Sequence, residues 1–483
     1  MLRFTLWAQR RARWVPAPVR RLAGRTIGRL RAGDGAVSGP ELDWSVPLVA
    51  GRLAGNIEVL AAARRDDRLA AVTMPARPTL RCVIASDVLD VGGMDEFVGF
   101  LGHGLPRVGV ETVVVYRSGQ QAGTQGEGGA VVRALDAAGV PTVRLSEEDA
   151  GRWLAEHRPD VISAHGAPDW LLDAAYAHGI PWVETLHGMH DFLDSRAFEP
   201  ERLRAKKISA QVAVSELVRQ QYLAGVVDFP PERIVTIPNG VDERRTARVD
   251  RPAARAALGI DDEYLFVSLA RYCLQKNIYG LVAAFAEVAA EHPDAHLLVA
   301  GRADDALYFA QVRRLVAELP HGDRIHLRGH CANASGLLAA ADAFVLDSFF
   351  EGWPLATMEA LAAGTPVVMS DVAGAREQIT PERGFLVANP AGSPEAADWG
   401  TISDLRFRPQ GNRAELVTAM STLVRDRQRW AADRQRLGAQ ARAAFSPDLC
   451  LRRHAAVLHS AARRKEPRLP APKAFTSRQA ACR

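Results

Sequence analysis

The stretch Glu351-Gly352-Trp353-Pro354-Leu355-Ala356-Thr357-Met358-Glu359-Ala360 sets two carboxylates apart by seven residues, across a turn that opens a helix. Carboxylates accept hydrogen bonds, and the vicinal hydroxyls of a sugar are well-matched donors. Gly352 and Pro354 supply the turn. Unpaired amides at the start of the new helix, at the positive end of its dipole, can hold a phosphate group. Glu351 then stands beside that anion seat and Glu359 projects from deeper along the helix. Acids and amides in this order imply a sugar-nucleotide site. Two glutamates around a helix start are also common on exposed helices, so the rest of the chain decides the weight of the pattern.

The elements that must carry these residues are readable. Ala341 to Ser348 forms a strand-like buried run, and Leu355 to Ala363 a short helix closed by Gly364-Thr365-Pro366. From Thr79 onward, apolar runs alternate with helix-length amphipathic stretches. The strand candidates are 81–86, 111–116, 140–145, 161–164, 182–185, 211–215 and 234–237, then, after a polar linker at 242–257, 264–270, 295–300, 325–327, 343–346, 366–370 and 384–387. The alternation predicts an α/β protein of two parallel sheets cut near residue 250, with ligands at the carboxyl ends of the strands. Two such halves face each other across a cleft that can exclude water. Residues 445–461 have helical periodicity and are expected to pack back across the domains.

Other candidates fall on predicted strand ends. Arg271 follows one strand and Lys276 lies five positions later, so two cations on one loop can neutralise a departing diphosphate. No convincing D-x-D pair occurs, so cations and helix amides are expected to replace a metal, and no metal or other cofactor is expected. In the first half, Asp90-Val91-Gly92-Gly93-Met94-Asp95 makes a glycine loop before a helix at 96–105, where backbone can approach a donor phosphate or an acceptor. His187, in Thr185-Leu186-His187-Gly188, can donate to a sugar hydroxyl in the cleft. His165 stands on a neighbouring strand end and is a candidate for the acceptor pocket. His190, Asp169 and Trp170 are weaker acceptor candidates.

Composition excludes several classes. With 48% hydrophobic and 24% charged residues and a net charge of +4, this 483-residue chain reads as soluble and offers no nucleic-acid signature. Cys82, Cys273, Cys331, Cys450 and Cys482 form no C-x-x-C pair, which fits a reducing cytoplasm rather than a zinc site or disulfide framework. No apolar run is long enough to span a bilayer. Residues 1–31 carry nine arginines interleaved with Trp7 and Trp14, a pattern suited either to peripheral contact with an anionic membrane or to a disordered basic leader.

The second half resembles the nucleotide-binding domain of glycosyltransferase family 4, the retaining GT-B glycosyltransferases also called glycosyl transferases group 1. Three motifs carry the resemblance: the E-x7-E element running into Glu359-Ala360-Leu361-Ala362-Ala363-Gly364-Thr365-Pro366-Val367-Val368, the R-x4-K loop at Arg271 and Lys276, and Ile237-Pro238-Asn239-Gly240-Val241-Asp242. It covers roughly residues 79–461. It departs from the family at Ala270, where a glycine is usual, and at Gly301-Arg302-Ala303, where G-x-G is common.

The resemblance implies a GT-B fold of two Rossmann-like β/α/β domains facing across a cleft, with a C-terminal helix crossing back to the first. The expected organisation is a basic extension (1–78), an acceptor domain (79–250), a donor domain (251–444), a crossover helix (445–461) and a basic tail (462–483). By the same resemblance, Arg271 and Lys276 bind the donor diphosphate, Glu351 contacts the transferred sugar, Glu359 holds the ribose and His187 contacts the donor hexose. Gly352, Trp353, Pro354 and Leu355 complete the sugar and phosphate contacts. His330 lies where the base is met, and Gly92, Gly93 and Met94 match the family's glycine loop. The implied reaction moves a hexosyl unit from a nucleoside diphosphate sugar to a glycan, lipid-linked or small-molecule hydroxyl with retention. A non-catalytic sugar-nucleotide sensor, an epimerase and a phosphorylase are the rival functions of such a scaffold.

Overall fold

The computed structural model describes residues 43–55, 57, 80–90, 92–117, 129–188, 198–246 and 249–463. The basic leader at 1–31, His190 and the tail beyond Arg463 lie outside the described residues. One sheet has seven strands: β1 (Leu80–Ser86), β2 (Val110–Arg117), β3 (Thr142–Leu145), β4 (Val161–His165), β5 (Trp182–Leu186), β6 (Ala210–Ala213) and β7 (Ile234–Thr236). The other has six: β8 (Tyr264–Leu269), β9 (Ala295–Ala300), β10 (Ile325–Arg328), β11 (Ala343–Leu346), β12 (Val367–Ser370) and β13 (Gly384–Val387). All recorded ladders within the two sheets are parallel. Strands covered on both faces read as largely apolar runs, which is why the central strands stand out in the sequence, while the edge strands β3 and β7 are short and partly exposed. β9 is buried at each of its 6 positions.

The strand orders are β3-β2-β1-β4-β5-β6-β7 and β10-β9-β8-β11-β12-β13. In each, the winding reverses direction, between β1 and β4 and between β8 and β11, and crevices open beyond the carboxyl ends at such points. The two crevices face each other, as the GT-B resemblance implies. Arg302 of one lobe reaches Asp90 of the other at 3.4 Å, and the Glu216 amide donates to Glu377 Oε1 at 2.9 Å.

The crossover helix spans Pro447–Ala462, with Ser446 Oγ accepting from the Leu449 amide and Pro447 opening the first turn. Its Cys450, Leu451, Val457 and Leu458 enter the apolar core of the first domain beside Phe97, Leu101 and Leu105. The preceding helix, Arg427–Ala444, packs beneath Gly364, whose φ of +82° places its α-carbon against the Arg434 carbonyl. An added Cβ there would lie 2.3 Å from that oxygen, so only glycine closes the Leu355–Ala362 helix this way.

Residues 43–55 and 57, counted on sequence with the amino-terminal extension, instead pack on the second domain. The Leu48 amide donates to the Leu258 carbonyl at 2.9 Å, Arg52 pairs with Glu263 at 2.7 Å, and Asn333 donates to the Ile57 carbonyl at 2.8 Å. Leu48 and Ile57 both join the second domain's core. The short apolar run Val46-Pro47-Leu48-Val49-Ala50 is broken by Pro47 and too brief to show a helix or strand period, so the sequence did not place it in a core. Ile57→Ala is expected to cost about 2–4 kcal/mol, read as a lower urea midpoint. An unchanged midpoint would show that the segment is not part of the core.

Candidate functional site

Glu351 sits on the loop that leaves β11, and three residues earlier Ser348 donates to its Oε1 at 2.7 Å. Lys276 Nζ pairs with the same oxygen. Both partners are largely buried, so the pair is a pre-built charge couple rather than a loose surface contact. Backbone stitching fixes the two loops together: the Phe349 amide donates to the Gln275 carbonyl at 2.9 Å, and Gln275 Nε2 donates to the Phe350 carbonyl at 3.0 Å. Asn277, left-handed at φ +47°, turns the chain immediately after Lys276. Its Nδ2 donates to Asp347 at 2.8 Å, and Asn412 donates to the other oxygen of that carboxylate at 2.7 Å. Burial pushes the Asp347 carboxyl up to about 7, against the two amide donors. Asp347 thus anchors both the lysine loop and the glutamate loop.

Arg271 lies at the same mouth, paired with Asp304 at 2.6 Å and donating to Gln275 at 3.2 Å. Asp304 also holds Arg302 at 2.6 Å, and Arg302 reaches across to Asp90. The helix Leu355–Ala362 begins after Pro354 with no side-chain cap, leaving first-turn amides open as expected. Trp353 is buried edge-on against Phe445, with ring centroids 5.9 Å apart, so its indole packs and only its backbone faces the turn.

The opposite wall comes from the first domain. Gly352 abuts His187 so closely that an added Cβ would lie 1.8 Å from the His187 carbonyl oxygen. Gly93 lies across from Leu355, an added Cβ making ordinary contact at 3.9 Å, and Met94 covers Gly166. The Gly93 and His187 backbones therefore meet the turn that carries Glu351 from the opposite lobe, with Gly92 and Met94 flanking Gly93 on the glycine loop.

His165 is fully buried and stands behind His187: its Nδ1 lies 2.8 Å from His187 Nε2, and its Nε2 lies 3.1 Å from Ser163 Oγ. Phe97 packs against both rings and against His454 of the crossover helix. Burial, reinforced by His454, depresses His187 to about 3, and burial alone depresses His454 to about 4. The rings are neutral at physiological pH, and with Nε2 engaged by His165, His187 has its Nδ1 rather than a charge to offer a ligand. A histidine held below its unfolded value contributes stability that is complete above about pH 6.5 and lost as pH falls toward the folded value. His454→Leu is therefore expected to remove about 2 kcal/mol of acid sensitivity between pH 8 and pH 5. Melting curves at the two pH values check this, and an identical pH dependence in variant and wild type would contradict it.

Glu359 is almost fully buried and bonded to Arg245, a residue of the linker, at 2.7 Å. His330 is exposed beyond β10, the edge strand. Asp169 is exposed and paired with Arg204, and Trp170 packs on the core behind β4 and β5. Ser348, Asp347, Asn277, Asp304, Arg302 and Arg245 were not singled out from the sequence. A pocket lined by Arg158, Asp160 and His178 opens at the amino ends of β4 and β5, the wrong end of the sheet for a ligand of this fold.

Comparisons with known proteins agree with this fold. Residues 91–245 match the family model described as Glycosyltransferase Family 4, and residues 250–405 match Glycosyl transferases group 1. D-inositol 3-phosphate glycosyltransferase of Mycolicibacterium gilvum is 30% identical over 328 residues, covering 59% of this chain and 71% of that protein. An uncharacterised glycosyltransferase of Methanocaldococcus jannaschii is 27% identical over 52% of this chain and 67% of its own length. Among solved structures, HepE of Anabaena in complex with UDP and glucose superposes with a TM-score of 0.64 at 19% identity, over 79% of this chain and all of that one. Sucrose-phosphate synthase of Thermosynechococcus elongatus gives 0.60 at 20% identity, over 79% of this chain and 98% of that one. With its motifs gathered at one crevice between two parallel-sheet lobes, the chain belongs to glycosyltransferase family 4 and is a transferase of the GT-B fold.

Proposed function

We propose that the protein transfers a hexosyl unit from a nucleoside diphosphate sugar to an acceptor hydroxyl, with retention at the anomeric carbon. The observation that carries this is the Lys276–Glu351 couple, set beside Arg271 and the uncapped helix start at Leu355 and closed over by His187. Arg271, Lys276 and the helix amides neutralise the charge that grows on the leaving diphosphate. His187 fixes the hexose through a hydroxyl, and Glu359 accepts from the ribose hydroxyls.

In the step itself, the bond between the anomeric carbon and the β-phosphate oxygen breaks, the acceptor oxygen bonds to that carbon on the same face, and the acceptor proton passes to the leaving phosphate. A carboxylate already held by Lys276 and Ser348 is a weak nucleophile. That favours Glu351 as an electrostatic and positioning group over a covalent glycosyl-enzyme route. The acceptor is a glycan, lipid-linked or small-molecule hydroxyl; two relatives are named for acting on inositol 3-phosphate, a small molecule, and on a phosphatidylinositol mannoside, a lipid. Among the described residues no helix is long and apolar enough to cross a membrane.

Melting the protein against a panel of nucleoside diphosphate sugars tests the donor class. A true donor at about 100 times its Kd stabilises the native state by about 2.7 kcal/mol. A panel without any stabilising member would refute the proposal.

A further inference from the structure

We infer that Arg245 is the positioning residue that presents Glu359 to the donor's ribose. The inference rests on the proposed role of Glu359 and adds a residue from outside the donor domain. Arg245 belongs to the segment joining the two lobes, between β7 and the helix Arg251–Leu258. Its Nε donates to Glu359 Oε1 at 2.7 Å and its Nη2 approaches Oε2 at 3.5 Å. Its remaining arm, Nη1, holds Glu96 of the helix Gly93–Gly104 at 2.8 Å.

Three consequences follow from this grip. Glu359 is only 2% exposed, and a carboxylate so buried stays ionised only with a cation bonded to it. Burial pushes its pKa up and Arg245 opposes that rise, against Glu96 and Asp242, the nearby acids. A planar guanidinium on both oxygens also stops the carboxylate from rotating, while each oxygen keeps lone pairs for a vicinal hydroxyl pair. Finally, because Glu96 holds the far side, Arg245 is not a loose cation that the diphosphate could capture.

The test is calorimetric binding of uridine, guanosine and adenosine diphosphates, each beside its 2′,3′-dideoxy counterpart, to the full-length protein. Wild type is expected to bind at least one ribo form about 10-fold or more tighter than its dideoxy form, since a site built for hydroxyls rejects a ligand lacking them. In Arg245→Gln that ratio falls to less than about 3-fold, while dideoxy affinity stays at the wild-type value. A merely structural role would weaken both forms equally and leave the ratio alone. Arg245→Lys keeps the charge without the fork and gives an intermediate ratio. It decides the matter if Arg245→Gln does not fold, and a wild-type ratio in either folded variant overturns the inference. Absence of any ratio in wild type is a different failure: it removes the ribose role of Glu359 first, and the inference with it.

Discussion

Replacing Glu351 by Gln is expected to lower kcat for sugar transfer by about 10²–10³-fold, with the circular dichroism spectrum unchanged. The isosteric amide retains a partner for Ser348 and fills the same volume, so the loops leaving β8 and β11 keep their shape. What disappears is the negative charge that Lys276 faces and that would stabilise positive charge at the anomeric carbon. Lys276→Met removes the other half of the couple and should lower kcat by a similar factor. The double variant should be scarcely worse than either single one, because residues acting as a unit are strongly non-additive. Full activity in Glu351→Gln would remove Glu351 from the chemistry. Independent, multiplying losses would separate its role from that of Lys276.

Gly352→Ala is expected to lower kcat/KM by about 10²-fold, for a purely geometric reason. The added Cβ would sit 1.8 Å from the His187 carbonyl oxygen and 2.9 Å from the Gly188 amide nitrogen. Both are backbone atoms of the opposite lobe, so no side-chain rotation relieves the clash. The lobes must separate at the point where the His187 backbone and the Glu351 turn converge, and a displacement near 1 Å there spoils alignment of donor and acceptor. Gly411, with nothing within 4 Å of an added Cβ and no positive φ, is the control: Gly411→Ala should retain wild-type kcat/KM. Equal activity in the two variants would show that the close approach of the lobes is not needed for turnover.

The legible and illegible parts of this protein divide along a physical line. The central strands were readable because a parallel strand covered on both faces is largely apolar: β9 is buried at every position with His296 as its one polar residue, and β1 departs from the pattern at Arg81 and Ser86. The Glu351 turn, the R-x4-K loop and the glycine loop were readable because each is a local arrangement of residue types. Partnerships were not. Lys276 and Glu351 are 75 residues apart, and Arg245 and Glu359 are 114 apart. Nothing local distinguishes Arg245 from the charged residues around it in the linker. His165, an acceptor-pocket candidate on sequence, is buried behind His187, because alternate residues of β4 point to opposite faces and its own ring fills the space beneath the crevice floor. The strap at 43–55 and 57 escaped notice for the same reason as the ion pairs: its fit depends on a surface assembled from residues 258 to 333.

A crystal structure of the protein with its preferred nucleoside diphosphate sugar is the most direct examination. The diphosphate should lie within hydrogen-bonding distance of Lys276 Nζ, Arg271 and the Leu355 helix start, with ribose hydroxyls on Glu359 and the hexose between Glu351 and His187. Density for the nucleotide anywhere else, such as the Arg158–Asp160–His178 pocket at the other end of the first sheet, would contradict the assignment of this crevice as the donor site.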